Sequence, residues 1–270
     1  MHIRSRNILV DAPWRDLPFK SSQKGLRDLL IDILLEMPDV YQLLDKAQQE
    51  KCRSKILLRF INIVELSWQF DSRINDWHSR FETFVAGPAY WPKLSTSNSP
   101  ADDTESGKVF AAAFHFPSFA VAHSMILYWL FLLLIHPLLC GIYKHLENLV
   151  RLGLGDMECS CIQKSIPETA GKTMSIPTIC LRHFTVDKLP PLGFPTEWAR
   201  GAVRNICQSA EYLMQENMGE VGPASLLPRL LAVREFLAIV APGEWPREVS
   251  WINDMMRKTQ DMGNDISRYL

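Results

Sequence analysis

Apolar residues return every three or four positions along most of this chain, the spacing that turns one face of an α-helix toward a core. In "KGLRDLLIDILLEMP" that face carries Leu26, Leu29, Leu30, Ile33 and Leu34. Pro38 is expected to end the helix, since its ring removes a backbone donor and crowds the preceding turn. A second, short helix is then expected through Val40, Leu43 and Leu44. From Lys51 a longer stripe runs through Leu57, Phe60, Ile61, Val64 and Trp68, resumes at Phe70, Ile74, Trp77, Phe81 and Phe84, and ends at Gly87-Pro88. Arg53, Lys55, Arg59, Glu65, Arg73 and Asp76 supply its polar side.

Three more helices are predicted toward the end. The first, with Thr196 as its N-cap, carries Val203, Ile206, Cys207, Ala210 and Leu213. The second carries Leu227, Leu230, Leu231, Val233 and Leu237, and Pro242-Gly243 separates it from the third, with Val249, Ile252, Met255, Met256 and Ile266. Strands of real length and repeats of solenoid period are not expected. The pattern predicts an all-α fold, with residues 1–270 forming a single multi-helix domain around a central hydrophobic helix. Two polar or Gly/Pro-rich stretches, 93–107 ("KLSTSNSPADDTESG") and 152–195, are expected to be flexible loops.

The central element is "HSMILYWLFLLLIHPLLCGIYKHL", residues 123–146, which has no charged side chain from Met125 to Tyr143. Its length suffices to cross roughly 30 Å of hydrocarbon. Against a span stand His136-Pro137 inside the segment and flanks without a strong cationic asymmetry. The stripes at 26–34, 57–84 and 203–237 offer enough one-sided apolar surface to enclose one buried helix. The core reading is preferred, and a membrane span at 125–143 is the alternative. A buried axis implies that a charge at Leu130 or Leu134 unfolds the protein.

Composition narrows the classes further. A hydrophobic fraction of 47% belongs to a globular chain, and a formal net charge of −1 carries no footprint for a nucleic-acid backbone. "MHIRSRNILV" lacks the apolar core of a secretory signal, so a nuclear or cytoplasmic location is expected and secretion is not. Its six cysteines are then expected to be reduced thiols. Only Cys159 and Cys161 are close, and without a C-x-x-C pair they read as loop thiols rather than zinc ligands. Seven histidines are scattered, with no second histidine at the helical i, i+4 spacing of a metal site. His115 and His123 flank "FPSFAVA" and could converge, although packing at helix ends is the simpler reading. Cys207 lies on an apolar helix face and is expected to be a small buried residue. Trp68, Trp77, Trp91, Trp129 and Trp198 could line a ligand cavity but read first as core. No nucleophile elbow, zinc helix, P-loop or dinucleotide fingerprint occurs. No catalytic, cofactor-binding or metal-ligating residue is therefore assigned, and the chain is not expected to be an enzyme; an enzyme with an unrecognised helical site is a further alternative.

Several stretches in one order resemble the C-terminal regulatory region of fungal zinc-binuclear-cluster transcription factors. They are "PWRDLPFKSSQKGLRDLLIDILLEMPDVYQLLDKA", "GPAYWPKLS" at Gly87 to Ser95, and "FPSFAVAHSMILYWLFLLLI" at Phe116 to Ile135. "NICQSAEYLMQENMGEVGPASLLPRLLAV" at Asn205 to Val233 and the closing "EVSWINDMMRKTQDMGNDISRYL" complete the series. The resemblance implies an all-helical regulatory domain in which effector binding or protein contacts control transcription, with control of a biosynthetic gene set as one expectation. The family's DNA-binding module has six cysteines in a fixed pattern, which the spacings here do not match. Protein partners are therefore expected, either a full-length relative or a second copy, without direct sequence-specific binding to DNA.

Overall fold

The computed structural model describes residues 19–20, 23–152, 184–193 and 197–262. The described residues are overwhelmingly helical, so the fold is all-α. Helices α1 (Leu26–Gln48) and α2 (Arg53–Phe84) are followed by two four-residue strands, β1 (Trp91–Leu94) and β2 (Ala112–His115). Then come the long apolar helix α3 (Phe119–Arg151), α4 (Glu197–Gln208) and the single turn α5 (Ala210–Leu213), with α6 (Val221–Val240) and α7 (Pro246–Asp261) last. Thr196, Ile266, Cys159 and Cys161 lie outside the described residues, as does most of 152–195.

Pro38 does not end a helix. Helix α1 runs through it as one element, and the helix expected to begin after it is the second half of the same one. Leu30, Ile33, Met37, Val40 and Ala47 are buried on a face that continues across the proline. Burial of such side chains, at about 1.5–3 kcal/mol each, outweighs the roughly 3 kcal/mol that an interior proline costs. At the start of α1 the Asp28 carboxylate accepts a hydrogen bond from the Gly25 N–H (3.0 Å), closing one open backbone donor. Pro137 in α3 and Pro228 in α6 are carried inside their helices in the same way. Pro246 stands at the first turn of α7, where its missing N–H costs nothing.

The chain falls into two compact units, Met1–Trp77 with Ile135–Pro195, and His78–Leu134 with Thr196–Leu270. In the first unit, Leu57, Ile61, Val64 and Ile74 of α2 and Ile135, Leu139, Ile142 and Leu146 of α3 are buried with the face of α1. Phe184 and Leu189 add to this core. Polar side chains link its elements: the Trp68 indole N–H donates to the Tyr143 hydroxyl (3.0 Å), which donates to the Pro190 carbonyl (2.6 Å). Trp77 donates to the Leu26 carbonyl (2.7 Å), and His136 Nε2 lies 2.6 Å from the Asp71 carboxylate.

In the second unit the core centres on rings. Tyr90 packs on Phe114 (4.6 Å) and edge-on to Trp129 (5.3 Å), while Phe116 meets Tyr212 (5.1 Å). Val203, Ile206 and Cys207 of α4, Leu226, Leu230 and Val233 of α6, and Ile252 and Met255 of α7 are buried as well. Ser209 interrupts the predicted helix between α4 and α5, its hydroxyl donating back to the Asn205 carbonyl (2.7 Å). Gly222 sits so close to the Leu213 carbonyl and the Met218 side chain that a Cβ there would overlap both. The strands pair antiparallel, Trp91 opposite His115 and Leu94 opposite Ala112, and Ser95 extends the pairing with a bond to the Ala111 carbonyl (2.9 Å).

Helix α3 is the one described helix long and apolar enough to cross a membrane; just over half of its most apolar stretch is buried in the protein. Phe131, Ile135, Leu139 and Leu146 are fully buried, whereas Leu130 and Leu134 are half-buried. Phe84, the last residue of the apolar stripe along α2, is 75% exposed and takes no part in the core.

Candidate functional site

The polar segment 93–107 starts within β1 and is held by hydrogen bonds from several directions. Asp102 accepts from the N–H groups of Ser99 and Val109, both at 2.9 Å. Lys108 donates to the carbonyls of Ser95 (2.9 Å) and Ser97 (2.7 Å). From α7, Arg247 donates to the Gly107 carbonyl (2.6 Å) and Lys258 to that of Asn98 (2.5 Å). Beyond Ser95 the segment has little ladder of its own, so several of its carbonyls take side-chain partners instead.

Glu211 holds the same segment from α5. Its carboxylate accepts from the Ser95 hydroxyl (2.8 Å), the Thr96 N–H (2.9 Å) and the Thr96 hydroxyl (2.5 Å). Tyr212 and Leu213 beside it are buried, which fixes the turn and aims Glu211 at the strand. Burial raises the Glu211 carboxyl, but the hydrogen bonds from Thr96, Ser95 and Ser97 outweigh it and hold it below the usual glutamate range.

Next to this latch the second unit has a pocket of about 430 Å³. Lys93, Leu94, Thr96 and Ser97 form one side, and His115 comes from β2. Glu211, Met214 and Gln215 form another side, and Met255 of α7 completes the lining. Burial and then the charge of Lys93 lower the His115 pKa against the opposing pull of Glu211, which favours the neutral ring. It presents one N–H and one lone pair. Tyr212 meets the ring edge-on at 6.0 Å.

His115 is thus in the pocket, but His123 is not among its lining residues. His123 has its Nε2 2.8 Å from the Arg229 guanidinium and its ring against Phe119. Of the other described histidines, His78 stacks on Tyr128 and lies 3.7 Å from Glu82, His145 packs on Phe60, and His136 pairs with Asp71. Cys207 is fully buried, and burial followed by the nearby Glu248 charge pushes its thiol far up, away from the nucleophilic thiolate. Among the described residues no three His, Cys, Asp or Glu side chains group closely enough to hold a metal. None of the five tryptophans considered as cavity lining borders the pocket. Trp68 and Trp77 anchor helices by hydrogen bonds and Trp129 belongs to the ring cluster.

Pattern reading missed Lys93, Glu211, Gln215 and the two methionines. Glu211 stands 115 positions from Thr96, and "SAEYL" has no local feature that marks its glutamate as a latch. Comparison of the chain with protein-family models, curated proteins and solved structures finds no match in any of the three.

Proposed function

We propose that this chain is a regulator of transcription that senses a small effector and acts through protein contacts. The observation carrying this reading is the origin of the pocket's walls. Lys93 and Leu94 belong to "GPAYWPKLS", Glu211, Met214 and Gln215 to the block from Asn205 to Val233, and Met255 to the closing block. These are three of the separated stretches on which the resemblance to the fungal regulatory region rests. Their meeting in one cavity supports effector binding by an all-helical body. A full-length relative, or a second copy, is the partner through which such a chain reaches DNA, in the nucleus or on the way there from the cytoplasm.

Deletion of the gene, followed by transcript profiling, tests the proposal. The expected result is a change confined to a limited set, such as a group of biosynthetic genes; an unchanged profile overturns it. The isolated chain is expected to show no preference for one DNA sequence over scrambled competitor at physiological salt. The length and apolarity of α3 favour a second reading, membrane association. Resistance of the chain to carbonate extraction from a membrane fraction supports that second reading and removes the first.

A further inference from the structure

The pocket's polar groups divide into spent and unspent. Glu211, its one carboxylate, already accepts from Ser95 and Thr96 through both oxygens, so it has little left to offer a ligand. On the unspent side, Lys93 makes no hydrogen bond or ion pair among the described residues. Strand pairing sets Lys93 opposite Ala113, and the lysine is exposed. The Gln215 side-chain amide and the His115 ring likewise make no hydrogen bond among the described residues. The site therefore presents a cation and neutral donors beside a carboxylate most of whose acceptor capacity is taken by Ser95 and Thr96. The remaining wall is apolar and soft: Met214 and Met255 are unbranched thioethers that adapt to ligand shape. About 430 Å³ is near the lower end of the range for small-molecule sites, roughly 300–1,000 Å³.

We propose that this pocket binds a small organic carboxylate, with its head group on Lys93 and Gln215 and its apolar body against Met214 and Met255. Lys93 supplies the charge that separates an acid from its neutral analogue, since an ionised acceptor strengthens the hydrogen bond it receives. Gln215 and the His115 N–H supply direction. The inference rests on the effector-sensing reading above and names the chemistry of the effector.

The test uses the full chain and two probe acids, phenylacetate and octanoate, with phenylacetamide and octanamide as neutral counterparts. Titration calorimetry and thermal shift are the readouts. Both acids are expected to bind and raise Tm, and each amide to bind at least about tenfold more weakly. Lys93→Met is expected to abolish the preference for acid over amide, and Gln215→Leu to weaken both acids. Lys46→Met, an exposed site in the other unit, is expected to leave both acids unaffected. Lys93 is exposed on a short strand, so its variant should keep the Tm of the unliganded protein. Equal binding of acids and amides, no binding of either acid at millimolar concentration, or a persistent acid preference in Lys93→Met overturns the proposal. The regulatory reading fails separately: acid binding lost in Lys93→Met, together with an unchanged transcript profile on gene deletion, keeps the ligand and removes the regulator. A changed profile with no acid binding does the reverse.

Discussion

In the first unit, polar side chains mostly reach one another across helices: Trp68 to Tyr143, His136 to Asp71, and Arg73 to Glu36 at 2.6 Å. In the second, they reach for backbone: Lys108, Arg247 and Lys258 to carbonyls of the segment after β1, and Glu211 to the Thr96 N–H. The difference follows from how each region satisfies its main chain. A helix spends its own N–H and C=O groups internally, so only side chains remain to be paired between helices. An irregular segment leaves those groups open, and each buried one must find a partner. A wall built in this second way need not be closely packed along its length, and it is beside this wall that the pocket opens.

Breaking the cores comes first in size. Phe131 is fully buried in the second unit and Leu139 in the first. Truncation to alanine is expected to cost about 3–5 kcal/mol at Phe131 and about 2–5 kcal/mol at Leu139, read by urea unfolding. Phe131→Asp is expected not to fold. A charge at half-buried Leu130 or Leu134 should do less than one at Phe131, because part of each side chain already meets solvent.

Next is the cross-helix pairing that typifies the first unit. His136→Ala removes one of the two partners of a largely buried carboxylate, leaving Asn75 at 2.9 Å, and is expected to cost about 1–3 kcal/mol. A loss below about 0.5 kcal/mol would mean that apolar packing alone holds this region.

The latch of the second unit is a smaller and pH-dependent test. Glu211→Gln replaces an acceptor pair by one acceptor and one donor, facing the Ser95 and Thr96 donors, and is expected to cost about 1–2 kcal/mol at pH 7. The folded carboxyl titrates below its unfolded value, so on acidification the unfolded chain takes up the proton first. The contribution of Glu211 is therefore complete above the ordinary glutamate pKa of about 4.3 and disappears as pH falls through the lower folded value. In Glu211→Gln that part of the acid limb should flatten. Unaltered pH dependence would show that the segment is held by the cations alone. Smallest of all is Phe84→Ser, expected to change stability by less than about 0.5 kcal/mol because the ring is exposed.

Much of the fold was legible because helical periodicity is a local property. The stripe of Leu57, Ile61, Val64 and Ile74 is buried as its spacing implies, and so are Val203, Ile206 and Cys207 on α4. The errors fall where a local rule met a tertiary balance. Pro38 is a strong local stop, yet α1 continues because the residues on both sides of it share a buried face. Phe84 fits the stripe, yet it lies at the helix end and nothing covers it. Gly222 lies in the first turn of α6, and only its approach to the Leu213 carbonyl shows why a side chain has no room there.

By itself, then, the sequence determined the helices, their inward faces and the apolar character of α3, since each depends on neighbours within a few turns. Tertiary structure alone decided which helices run through their prolines, how the segment after β1 is held, and that Lys93, Glu211 and Met255 border one pocket. The latch and the pocket depend on contacts between residues more than a hundred positions apart, and no periodicity along the chain records a contact of that range.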